Sequence, residues 1–148
     1  MKNRFASVDI FISEKFQLKI QSFCQTGKAA VGSLEQTPFP RMVDMWFLAM
    51  CIGAKSGLQP QMQIQGPTYK AIDGVVFGSD SWRSDAIALL AVGHSKDAAI
   101  ADNPNDMMKI ANGFAHVGFP LLFEALEDDS GDTPLDLMCD YVSDAVAT

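Results

Sequence analysis

The sequence has little that could hold a metal or run redox chemistry. Its 148 residues include three cysteines, Cys24, Cys51 and Cys139, and two histidines, His94 and His116. The cysteines are odd in number, far apart and set among apolar neighbours. There is no CxxC pair and no Cys/His cluster, which argues against a zinc site or a disulfide framework. A reducing, cytoplasmic setting is the expectation. Walker, GxGxxG and HExxH motifs are also missing, so neither a nucleotide nor any other cofactor is called for. Long apolar runs are missing too. The longest, Met42 to Ala54, is too short to span a bilayer and contains Asp44. The opening Met1-Lys2-Asn3-Arg4 leads into no apolar signal-peptide core.

What is present describes a globular chain. Hydrophobic residues make up 48% and charged residues 20%, too apolar for disorder. The length fits one domain, residues 1–148. At that size no disulfide or metal staple is needed for a core. The net charge is −7, and it is unevenly spread. Residues 1–70 carry eight bases and four acids, a net of +4. Residues 71–148 carry three bases and fourteen acids, a net of −11. Such a split suggests a basic binding half and an acidic half, or simply a mixed, soluble surface.

Periodicity points to a mainly α fold, a single compact helical domain of five or six helices after one short N-terminal strand. Residues 5–12 alternate, with Ala6, Val8, Ile10 and Ile12 on one face. Ser13 reads as a helix cap, and Phe16, Ile20 and Phe23 form one stripe up to a stop at Gly27. From Arg41 to Lys55 nearly every face is apolar, which predicts a central buried helix. Residues 58–79, rich in Gln, Pro and Gly, read as a connection with short extended pieces at 62–64 and 75–77. Further helices are expected from Asp80 or Ser81 to Gly93, from Asn103-Pro104 to about 126, and from Thr133-Pro134 to about Ala147. Pro120 should kink or split the second of these.

Four groups of residues could carry function. The strand–helix–loop–helix order of residues 5–57 is that of a ribbon-helix-helix layout, in which two chains pair their strands in a DNA groove. Lys2, Arg4, Lys15, Lys19 and Lys28 would then supply phosphate contacts. Asp9 on the base-facing side and the loop from Gly27 to Pro40 depart from that motif. Arg41 and Asp44, three apart on a greasy helix, form a structural ion pair, since a buried carboxylate needs Arg41 or a cation from a neighbouring helix. His94 or His116 could pair with Cys51 or Ser95 as nucleophile and base, although no spacing requires it. Finally, Asp128, Asp129, Asp132 and Asp136 make an acidic surface suited to a basic partner. The turn imitates the start of a calcium loop, but its glycine is misplaced and position twelve is Cys139, so no metal is expected.

The strand and helix followed by Pro38-Phe39-Pro40-Arg41-Met42-Val43-Asp44-Met45-Trp46-Phe47 resemble small accessory proteins of bacterial DNA-modification and defence islands. The phosphorothioation small subunit is one of these. The resemblance covers about the first 57 residues. It implies a compact helical, DNA-associated accessory subunit without catalytic activity, contacting nucleic acid through its basic half and protein through its acidic half. Self-association is expected, because a lone strand seeks a partner. Two alternatives stay open: an acidic protein-interaction module without nucleic-acid contact, and a small enzyme using a histidine.

Overall fold

The apolar stripes become helices, and the computed structural model describes them over residues 3–25, 34–128 and 130–147. In chain order the elements are β1 (Ile10–Ser13), α1 (Gln17–Phe23), α2 (Met42–Lys55), β2 (Thr68–Ile72), α3 (Ser81–Ser95), α4 (Pro104–Leu126) and α5 (Pro134–Ala147). Short 3₁₀ turns at Glu14–Phe16, Gly74–Gly78 and Ala98–Asp102 lead into or out of them. The fold is mainly α, with five α-helices among the described residues, as the periodicity predicts, and a two-stranded sheet in place of the one expected strand. No helix of the described residues is long and apolar enough to cross a membrane.

α2 and α4 form the centre. α4 buries thirteen of its 23 residues, and α2 buries Trp46 and Met45 completely. The two helices meet backbone to backbone. A Cβ on Gly53 would stand 2.0 Å from the Phe114 carbonyl oxygen, and one on Gly118 would stand 1.7 Å from that of Ala49. Only glycine permits that approach. α4 runs through Pro120 as one element and is not split there; the residue is exposed, where water can satisfy a freed carbonyl.

The strand is shorter than expected and is not alone. β1 covers residues 10–13 and pairs antiparallel with β2, Ile12 opposite Tyr69 and Ser13 opposite Thr68. β2 lies inside the stretch read as a connection, while the expected extended piece at 75–77 falls in a 3₁₀ turn. Ser13 belongs to the strand and makes no side-chain cap. Gly27, the expected helix stop, lies outside the described residues.

Candidate functional site

The free edge of β1 is covered by its own chain. Asn112 and His116, one helical turn apart on α4, address it directly. The Asn112 amide donates to the Phe11 carbonyl at 2.8 Å, and the Ser13 N–H donates to His116 Nε2 at 3.1 Å. His116 Nδ1 lies 2.8 Å from the Asn112 carbonyl, so the proton sits on Nδ1 and Nε2 is the acceptor. Trp46 Nε1–H completes the network on Asn112 Oδ1 at 3.0 Å. These two side chains do what a third strand would do. The expectation of an open edge awaiting a second chain is therefore corrected.

The same network defines what His116 can do chemically. It is 2% exposed, and burial pushes its pKa below the usual histidine value, with the Asn112 bond opposing and Lys15 assisting. Both ring nitrogens are engaged, which leaves none to act as a base. His94 is exposed at the end of α3, its ring edge-on to Phe114 at 5.3 Å. Among the described residues neither imidazole bonds to Cys51, to Ser95 or to a carboxylate; Ser95 Oγ turns to the Val92 and Asp97 carbonyls. Burial raises the Cys51 thiol pKa and pushes that of Cys24 to about 12, the opposite of an activated nucleophile.

Most of the described basic residues of the N-terminal half are paired within the chain. Arg4 lies 3.5 Å from Asp85 of α3. Lys19 reaches Glu127 beyond α4 at 3.2 Å and also lies over the Phe123 ring at 5.4 Å. Lys70 sits between Asp9 at 3.3 Å and Asp73 at 3.4 Å. Arg41 pairs with Asp80 at 3.1 Å and with Asp44 at 3.5 Å. Lys15 is exposed, its ammonium 5.0 Å from the Phe16 ring centre, with no ion pair among the described residues. Lys2 and Lys28 lie outside the described residues.

Asp44 is the hub of a buried polar node. Its Oδ2 accepts the Arg41 backbone N–H at 2.9 Å, closing the first turn of α2. Its Oδ1 takes a close contact from the Arg83 guanidinium, delivered from α3. Arg83 is only 8% exposed, and its guanidinium also lies over the rings of Trp82 at 4.7 Å and Phe47 at 5.5 Å. The Arg41–Asp44 contact is the longer of the two. The partner from the neighbouring helix is the tighter one, and sequence spacing alone could not name it.

The acidic residues collect on the C-terminal side. Asp136, Asp140 and Asp144 follow one another at four-residue steps, so they form one outward stripe along α5. Among the described residues no ion pair reaches them. Asp136 accepts from the Thr133 hydroxyl at 3.0 Å, and Asp132 takes the Ser130 hydroxyl at 3.3 Å. Asp128 is exposed, and Asp129 lies outside the described residues. Beside α5 a shallow depression of about 640 Å³ is lined by Leu121, Glu124, Ala125, Glu127, Asp128 and Tyr141. On the other flank of α5, Leu48, Cys51, Val142 and Val146 line an apolar groove of about 320 Å³ against α2. Of the whole helix only Leu137 is buried. No three metal-binding side chains come together among the described residues.

No family model, curated protein or solved structure matches the chain.

Proposed function

We propose that the protein is a non-enzymatic interaction module that docks a basic segment of another protein on the acidic side of α5. The observation that carries this reading is an imbalance of pairing. Four of the six described bases in residues 1–70 already hold carboxylates of their own chain. Among the described residues the stripe Asp136, Asp140 and Asp144 holds no base. Next to it, Leu121, Ala125 and Tyr141 give the depression an apolar floor under the rim of Glu124, Glu127 and Asp128. Lys19 illustrates the recognition chemistry within the molecule, its ammonium on Glu127 and over the Phe123 ring. A helix with one apolar face bordered by Lys and Arg has matching chemistry.

That pairing of Arg4 and Lys19 supports protein docking over nucleic-acid contact through them, while Lys15 is the base it does not engage. It keeps the assembly role expected of an accessory subunit and moves the contact to the acidic half. The test is fluorescence anisotropy of the full chain with a labelled Lys/Leu amphipathic peptide and, separately, a short DNA duplex at low salt. The peptide should bind, weaken as salt rises, and weaken at least tenfold with Asp136→Asn, Asp140→Asn and Asp144→Asn combined. Binding of the duplex but not of the peptide, abolished by Lys15→Glu with Lys19→Glu, would reverse the assignment.

A further inference from the structure

α3 presents a second surface, independent of α5. Its buried residues Arg83, Ser84, Ile87, Ala88 and Ala91 define the inward face. Directly opposite them, at helical spacing, stand Trp82, Ala86, Leu89 and Gly93. Trp82 is 54% exposed and Leu89 74% exposed, which is unusual for two large apolar residues on one stripe. Trp82 is also held in place. Its ring packs edge-on to Phe47 at 5.2 Å and carries the Arg83 guanidinium at 4.7 Å. Arg83 is in turn fixed by Asp44. A solvent-facing indole braced from behind is an anchor already ordered before anything binds.

The order of large and small residues on this stripe identifies the occupant. From the N-terminal end it runs large, small, large, small, and from the C-terminal end small, large, small, large. When α3 is laid antiparallel on a second α3 about a two-fold axis midway between Ile87 and Ala88, Trp82 faces Gly93 and Leu89 faces Ala86. Each large side chain then meets a small one, twice over by symmetry. Gly93 has open space where a side chain would project, enough for a facing ring to approach. The arrangement opposes the two helix dipoles. It also brings Lys96, at the C-terminal end and without an ion pair among the described residues, toward the partner's N-terminal turn, where Asp80 and Asp85 lie, each already paired within its own chain, with Arg41 and Arg4. A self-complementary patch of this kind is what an isologous dimer requires.

We infer that α3 is the face through which two copies of this chain associate, by antiparallel packing of Trp82, Ala86, Leu89 and Gly93. One pair of short helices buries an area at the low end of specific interfaces, below about 1,200 Å² in total, so the dimer is a weak one. Two copies joined this way would display two α5 faces, and a partner with two basic segments would gain by avidity.

The experiment is sedimentation velocity of the full chain across concentrations from about 1 to 200 μM, the range in which a small interface associates. The mass should rise from 16.1 kDa toward twice that value. Leu89→Glu, on a residue exposed to solvent, should remain a monomer throughout while keeping its helical circular dichroism. Ala86→Leu alone sets two leucines against each other, and Leu89→Ala alone leaves a gap; each should weaken association about tenfold, the effect of roughly 1.4 kcal/mol. The double variant Ala86→Leu/Leu89→Ala exchanges large for small in both facing pairs and should restore it. A chain that stays monomeric at 200 μM overturns the inference and leaves the stripe to a different protein. So does dimerisation that Leu89→Glu does not change, which would place the contact elsewhere.

Discussion

α4 and α5 are neighbours with similar apolar content, yet they are used in opposite ways. α4 buries thirteen residues and touches α2 through bare backbone at Gly118. α5 buries Leu137 alone and spends its outer positions on Asp136, Asp140 and Asp144. α4 also completes the sheet, its Asn112 and His116 standing in for a strand. The contrast separates the two demands on the chain. One helix fixes the fold, and the next is displayed on it at little cost to the core.

The largest test of this contrast is at the seam. Gly118→Val places a branched side chain where the Ala49 carbonyl already stands 1.7 Å from a Cβ position. The helices must separate, and we expect a loss of about 3 kcal/mol or more in urea unfolding, a large share of an ordinary domain's stability. Asp44→Ala should come next, at about 3 kcal/mol, because it strands the buried Arg83 guanidinium without its carboxylate. On α5, Leu137→Ala should cost about 2 kcal/mol, the low end for a buried leucine, because the surrounding helix can settle into the gap.

His116 sharpens the same comparison through pH. Its folded pKa lies below the ordinary histidine value, so the unfolded chain takes up the proton first. Stability from this group is complete above about pH 6.5 and falls as the pH drops below it, by at most about 1.4 kcal/mol per pH unit. His116→Gln should flatten that slope between pH 6.5 and the range where carboxylates titrate, as read by unfolding midpoints in a pH series. The smallest stability effects belong to α5. Asp140→Asn and Asp144→Asn should each stay within about 0.5 kcal/mol of the parent while lowering affinity for a basic peptide. A helix that mattered to the fold as α4 does would fail that test.

The helical part of this architecture is legible in the sequence, because each helix carries its own stripe and stop. α2, α3, α4 and α5 begin and end within a few residues of their signals. β2 is not legible. Thr68-Tyr69-Lys70-Ala71-Ile72 alternates weakly, lies between Gly66-Pro67 and Asp73-Gly74, and owes its strand geometry to β1 rather than to its own composition. The fate of the bases was hidden for a related reason. Lys19 and Glu127, or Arg4 and Asp85, are about 80 to 110 positions apart, and only the folded chain brings them together. The acidic stripe on α5 is local, so its spacing could be read directly. Trp82 and Leu89 look like core residues at helical spacing, and only the burial of the opposite face of α3 turns them outward.

The most direct measurement is a backbone amide NMR titration of the full chain with the Lys/Leu amphipathic peptide. The account predicts shift changes along α5 and the end of α4, at Leu121, Glu124, Ala125, Glu127, Asp140, Tyr141 and Asp144, with β1 and α1 left in place. Shifts centred on Lys15 and the strand, or no shifts at all while DNA produces them, would contradict it.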